Sequence, residues 1–409
     1  MAEARHSSKR ILAFVFVTVL IDSIGFGIII PVLPELLMEI TGEGVSDAAA
    51  SSGWLMFAFA STQFVFSPIM GNLSDRYGRR PVLLFSLGVF SVNYFFMGLA
   101  PTIEWLVLGR VIGGMSASTF STGNACIADV TEPELRAQRF GLLGAAFGLG
   151  FIIGPAAGGF LGELGSRVPF FATAGLALVN MVYGLLVLPE TLAEDKRRPF
   201  EWRRANPIGA AVHLRRHPAV AGLVLAYFLH QLGHFVLPAV WSYYTIAKFG
   251  WTERDIGLSL AVVGVLATVV QGGLIRPILA RIGVERALFL GLGVSALSLV
   301  GYGLVPAGWM IFVLMIPGAF SGLANPAMQG MMSSRIEPDA QGELQGAVAA
   351  VASLTAIVSP PVMTQTFAYF TGAGGPDFPG APFVLAGLLT LGAVIVSVVV
   401  VRRASAEGR

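Results

Sequence analysis

The run Gly71-Asn72-Leu73-Ser74-Asp75-Arg76-Tyr77-Gly78-Arg79-Arg80-Pro81 separates two apolar stretches, 52–74 and 81–100, and its chemistry decides how the chain is read. It places a carboxylate at a helix end, a glycine where a tight turn is needed, and three arginines around that turn. About 20 mainly apolar residues cross a hydrocarbon core about 30 Å thick. Basic residues in a short loop hold it on the cytoplasmic side. The pattern reads as a hairpin of two membrane-spanning helices pinned by its turn.

Working outward, further apolar stretches fall at 11–38, 105–129, 136–162, 168–189, 219–247, 254–279, 286–305, 309–333, 341–371 and 381–402. The expectation is an all-α membrane protein of twelve transmembrane helices. Composition agrees: 55% of the 409 residues are hydrophobic and 12% are charged, where soluble domains carry about 25% charge. Mean hydropathy is +0.75. The N-terminal Arg5, Lys9 and Arg10 before an apolar run could mimic a secretory signal. The run continues to Leu37 through Asp22, Pro31 and Pro34, well past the apolar length of about 7–15 residues such signals have, so it reads as a retained first span. Cys126 is the single cysteine, which excludes an internal disulfide and metal-thiolate clusters and leaves a packing role.

The longest polar break, 190–218, carries Lys196, Arg197, Arg198, Arg203, Arg204, Arg215 and Arg216 and reads as a cytoplasmic linker between halves 1–189 and 219–409. With both termini inside, all but four of the 26 Lys and Arg are cytoplasmic; Arg167, Lys248 and Arg254 face out and Arg110 lies in a span. The halves match at a constant offset: Arg76-Tyr77-Gly78 with Arg281-Ile282-Gly283, Glu132-Pro133 with Glu337-Pro338, Gly141 with Gly346, and Pro155 with Pro360. Val32-Leu33-Pro34 matches Val236-Leu237-Pro238 one position out of register. A duplicated six-helix unit follows, in pseudo-symmetric bundles. Duplicated membrane bundles of this kind bind substrate near the midplane and alternate access by rocking one half against the other.

Asp22 is the acidic residue lying deep within a span, whereas Glu35, Asp75 and Asp129 sit near helix ends. Burying an arginine mid-span costs roughly 2.5 kcal/mol or more, so Arg110 must face a cavity or partner. A buried carboxylate changes proton occupancy as water access changes, which makes Asp22 the proton-coupling candidate with Arg110 as modulator. The plainer alternative is a permanent structural Asp22–Arg110 pair. In the seventh span Tyr227, His230, Gln231, His234, Pro238 and Trp241 recur at helical steps and form a polar-aromatic stripe that reads as a cavity wall. His230 and His234 could bind substrate or titrate; no acid or cysteine beside them completes a metal site. Ordinary interhelical hydrogen bonding is the alternative. Asn93, Asn124 and Gln329, with Ser121, Gln271, Asn325 and Gln365, are dispersed polar groups able to line the same cavity. Gly141, Gly150, Gly154, Pro155, Gly158 and Gly159 give the fifth span a seam that admits close helix packing, with a proline bend.

The 71–81 loop resembles the signature loop of the major facilitator superfamily. Asp22-Ser23-Ile24-Gly25-Phe26-Gly27, Pro31-Val32-Leu33-Pro34 and Leu143-Gly144-Ala145-Ala146-Phe147-Gly148-Leu149-Gly150 look like the tetracycline-resistance exporters. The resemblance implies a bacterial inner-membrane drug–proton antiporter. It implies that Asp75 and Arg76, with Asp129, latch the halves in the outward-facing state, with Gly71, Gly78, Arg79 and Arg80 completing the gate loop. It also implies that the fifth-span pattern is the antiporter motif, and that the fourth-span Leu106, Arg110 and Gly114 match a motif tied to proton movement. Those exporters carry an aspartate, a histidine and an aspartate where Asn93, Ala267 and Ser295 stand here, which weighs against tetracycline as cargo. Proton-driven export of a small amphipathic compound is the leading expectation, ahead of metabolite uptake or a transporter-like sensor. No nucleophile–base pair or phosphate loop points to an enzyme or nucleotide-driven pump. The gradient is the energy source without a cofactor, nucleic acid is no partner, and the architecture works as a monomer.

Overall fold

The computed structural model describes residues 2–201, 218–337 and 341–407. Arg203, Arg204, Arg215 and Arg216 of the linker, and Pro338 of the repeat, lie outside the described residues. The described chain is helical throughout and contains no strand. Eleven of its helices are long and apolar enough to cross a membrane. Leu186, Leu297 and Val92 are 81%, 75% and 68% exposed. With eleven such helices and large apolar side chains exposed, the chain is a multi-pass membrane protein.

The first half contains α1 (Ala2–Thr41), α2 (Val45–Tyr77), α3 (Arg79–Gly98), α4 (Ile103–Ser116), α5 (Thr119–Val130), α6 (Pro133–Gly162) and α7 (Val168–Val187). The fourth span, expected as one helix over 105–129, is the pair α4 and α5. Between them Ala117 adopts φ −72°, ψ 68°, and the Ser118 N–H donates to the Ser116 carbonyl at 2.7 Å, an inverse γ-turn. Ser116 donates its hydroxyl to the carbonyls of Ile112 and Gly113, so side chains compete here with the helical ladder. The Ser86 and Ser118 hydroxyls meet at 2.9 Å, keeping the interruption satisfied inside protein as a lipid-embedded break requires.

The second half contains α8 (Pro218–His234), α9 (Val236–Phe249), α10 (Glu253–Val269), α11 (Ile275–Ile282), α12 (Val284–Leu304), α13 (Gly308–Gly318), α14 (Ala324–Ser333), α15 (Gln341–Thr371) and α16 (Ala381–Glu407). Pro238 has no N–H for the His234 carbonyl, and the seventh span is interrupted at Phe235, between α8 and α9, while the Phe235 and Ala239 N–H groups still donate to the carbonyls of Gln231 and Phe235. A π segment, Val270–Leu274, joins α10 to α11, and a 3-10 segment, Ala319–Leu323, joins α13 to α14.

Two compact units result, Met1–Glu43, Ala58–Asn206 and Thr252–Gly264 in one, Gly44–Phe57, Pro207–Trp251 and Val265–Arg409 in the other. In the first, α1 packs along α6 through a glycine seam. A Cβ on Gly154 would come within 2.7 Å of the Ile24 carbonyl oxygen, and one on Gly150 within 2.9 Å of that of Leu20. Gly158 abuts the Ile28 carbonyl in the same way, and Gly162 meets the Val32 side chain. Spacing of four places all four glycines on one face, so the two backbones touch and gain dispersion contacts that any side chain would forfeit. Gly141 faces open space and takes no part in the seam.

In the second unit, α8 packs on α14, α15 and α16 around Tyr227, Leu288, Met328 and Leu344. The repeat is visible in the backbone. Gly78 (φ 103°, ψ 160°) and Gly283 (φ 80°, ψ 163°) start α3 and α12 with nearly the same left-handed geometry. Within one unit Gly257 abuts the Pro155 carbonyl, at 2.5 Å from its Cβ position; within the other, Gly53 abuts the Pro360 carbonyl at 3.2 Å.

Candidate coupling site and gate loop

Thr18, Asp22 and Gly25 follow one another at steps of four and three and share a face of α1. Ser23, Ile24 and Gly27 of the same turn meet α6. Along the Asp22 face two polar ties hold α1 in place. Asn180 of α7 donates to the Thr18 hydroxyl at 3.1 Å. The buried Tyr94 of α3 donates to the Gly25 carbonyl at 2.8 Å. Asp22 and Arg110 are half-buried. Tyr94 meets α1 three residues past Asp22, and its neighbour Asn93 meets α4 at Gly109 and Gly113, next to and one turn past Arg110. Tyr94 was not singled out from the sequence, because an aromatic residue in an apolar span carries no periodic signal that separates it from packing. Asn93 is buried against α4, its Nδ2 3.0 Å from the Cβ position of Gly113 and its Oδ1 3.3 Å from that of Gly109.

The gate loop is organised around Arg79. Its Nη1 donates to Asp75 Oδ1 at 2.5 Å and to Ser74 Oγ at 2.6 Å, and its Nε donates to Asp129 Oδ2 at 3.2 Å. The resemblance assigns the latch to Asp75 and Arg76 together, with Asp129; in the structure the arginine that pairs with both acids is Arg79. Arg76 is exposed, with its guanidinium 5.1 Å over the Tyr77 ring. The reason is geometric: Arg79 follows Asp75 by four residues across the Gly78 turn, so its side chain folds back between α2 and α5. Arg80 donates to the Leu185 carbonyl at 2.8 Å, and Gly71 faces open space.

Glu190, just past α7, was used in the sequence only as the linker boundary. Its carboxylate accepts from the Arg79 N–H at 2.8 Å, from the Arg80 N–H at 3.3 Å, and from those of Thr191 and Leu192 at 3.0 Å each. It caps the start of α3, and a Cβ on Gly78 would overlap it, so glycine is required there by contact as well as by φ. The linker's first residues return to the loop, with the Arg198 N–H donating to the Asp75 carbonyl at 3.1 Å and Asn72 donating to the Glu201 carbonyl at 3.0 Å. Glu190→Ala is expected to lower stability by about 1–2 kcal/mol, the scale of a lost helix cap, measured as a drop in melting temperature of the purified protein. An unchanged melting temperature rejects the capping role.

In the second unit His230 is buried, its ring centroid 5.8 Å from that of the half-buried His234, and both lie at the end of α8 beside the interruption at Phe235. Gln231 is half-buried and Gln329 of α14 is exposed. Tyr227 belongs to the α8 core, and Trp241 is 2% exposed with its ring edge-on to Tyr302 and Phe383. These two rings stand in packed interior. Asn124 of α5 donates to the Phe120 carbonyl of its own helix at 3.0 Å.

The profile of the Major Facilitator Superfamily matches residues 15–360 and, a second time, 223–409. Tetracycline resistance protein, class C, of Escherichia coli is 39% identical over 362 residues, covering 88% of this chain and 90% of that protein. Multidrug resistance protein 2 of Bacillus subtilis (strain 168) is 28% identical over 367 residues, covering 88% of this chain and 89% of that one. Among solved structures, the human organic anion transporter MFSD10 (TETRAN) aligns with a TM-score of 0.68 and 23% identity over 95% of this chain and 99% of its own, a likeness of fold.

Proposed function

The chain belongs to the Major Facilitator Superfamily, and on that footing we propose that it is a proton-driven exporter of small amphipathic organic compounds in the inner membrane. What carries this reading is a carboxylate within the first span, Asp22, on the face of α1 that Tyr94 holds at Gly25, in a chain similar to tetracycline and multidrug resistance proteins. Asp22 takes up and releases the proton, Arg110 modulates it, and the Asp75–Arg79–Asp129 cluster serves as the gate. His230, Gln231 and His234 contact the cargo. Both termini are cytoplasmic, and a monomer suffices. Asn93, Ala267 and Ser295 supply no acid or imidazole where tetracycline exporters have them, so other amphipathic drugs fit better than a tetracycline–metal complex.

The test uses purified protein in proteoliposomes under an imposed pH gradient, with ethidium, rhodamine 6G and tetracycline as probes. Addition of a transported probe is expected to collapse the gradient faster than in protein-free vesicles, with ethidium or rhodamine 6G exceeding tetracycline. Probe movement at equal rates with and without the gradient overturns proton coupling.

A further inference from the structure

Asn93 and Tyr94 are consecutive on α3, and each engages a different neighbour. Tyr94 reaches α1, its hydroxyl on the Gly25 carbonyl three residues beyond Asp22. Its ring lies 4.4 Å from that of Phe90, and Phe90 presses on the same glycine, 2.6 Å from where a Cβ would stand. Asn93 reaches α4 at Gly109 and Gly113, which flank Arg110. Both glycines lack the side chain that would hold the amide away, so α3 and α4 meet closely at this level. One dipeptide thus touches the helix of the carboxylate on one side and the helix of the guanidinium on the other.

We propose that Asn93-Tyr94 is the spacer that sets the separation of Asp22 and Arg110, with Tyr94 a positioning residue for the proton carried by Asp22. The proposal rests on Asp22 being the coupling carboxylate. α1 packs against α4, α5, α6 and α7, and Tyr94 joins it from α3. Among the described side chains the ionisable groups on those helices are Arg79, Arg80 and Tyr94 on α3, Glu104 and Arg110 on α4, Cys126 and Asp129 on α5, Arg136 and Arg139 on α6, and Tyr183 on α7. Arg79, Arg80, Glu104, Asp129, Arg136 and Arg139 stand at helix ends, and Cys126 packs in the apolar cluster around Val15 and Val19. Tyr183 packs its ring 5.7 Å from that of Phe14, about two turns from Asp22 toward the start of α1, which leaves Tyr94 and Arg110 as the groups at the depth of Asp22. A hydroxyl that fixes the α1 backbone at Gly25 therefore governs how far the carboxylate stands from its cation.

The experiment is an infrared pH titration of the full-length protein, following the carboxyl band that disappears in Asp22→Asn. In Tyr94→Phe, which keeps the ring and loses the hydroxyl, the titration midpoint is expected to move by about half a pH unit or more, the span over which a modest electrostatic change becomes measurable. Asn93→Ala, which loosens the α4 side, is expected to move it as well and stands in should Tyr94→Phe fail to accumulate. Phe90→Leu, which leaves the hydroxyl in place, is expected to move it less than either. Midpoints identical to wild type in both Tyr94→Phe and Asn93→Ala overturn the proposal. If Asp22→Asn retains proton-coupled transport while those midpoints move, the coupling reading falls and the spacer stands.

Discussion

Asp22→Asn is expected to abolish proton-coupled export while leaving the protein folded and in the membrane. The carboxylate and the carboxamide have nearly the same shape, so the packing of α1 on α6, which runs through Ser23, Ile24 and Gly27, does not sense the change. What is lost is the proton site. One pH unit is a factor of ten in proton concentration, about 1.4 kcal/mol, so a pH gradient of that size drives accumulation by about tenfold per proton exchanged, and for a monocation such as ethidium the one-for-one exchange is electroneutral. In Asp22→Asn the accumulation that depends on the pH gradient should vanish. The measurement is steady-state accumulation of ethidium in inverted vesicles, read together with proton movement on ethidium addition. Wild-type proton movement in the variant removes Asp22 from the mechanism.

Arg79→Gln is the second large effect, a loss of transport by at least about tenfold, with Arg76→Gln retaining most activity. The consequence is local: Arg79 is 11% exposed at its side chain and is the cation shared by Asp75 and Asp129, and removing it leaves two carboxylates without the group that joins α2 to α5. Arg79→Lys should not rescue fully, because an ammonium cannot present the Nε and Nη1 donors in fixed directions. Arg76 lies exposed over Tyr77, a contact worth about 0.5–1 kcal/mol. Initial rates of ethidium export at matched protein levels decide the comparison. Equal loss in both variants, or more in Arg76→Gln, returns the latch role to Arg76.

The contrast between the two arginines shows how far the sequence reaches. Asp75, Gly78 and the three arginines mark a charged turn because their types and spacing are local properties of the chain. Which arginine meets the acids depends on where α5 delivers Asp129, more than 50 positions downstream of Asp75. Glu190 lies 111 positions from the Arg79 N–H it accepts, and no local pattern connects them. The seventh-span stripe fails in part for a related reason. Periodicity places Tyr227, His230 and Trp241 at helical steps, but the helices that pack against them decide that Tyr227 joins the α8 core and Trp241 an aromatic cluster with Tyr302 and Phe383.

The twelve apolar stretches, the duplication, the charged turn at 71–81 and the lone mid-span carboxylate follow from the amino-acid sequence, because the bilayer imposes one dominant requirement on every residue: apolar length with all backbone polar groups satisfied. Tertiary structure alone decided that the fourth span is two helices, that Arg79 and Glu190 organise the turn, and that Tyr94 meets α1 three residues past Asp22. Those outcomes rest on hydrogen bonds and ion pairs between helices far apart in the chain, whose geometry exists only after the glycine seams have brought the backbones together.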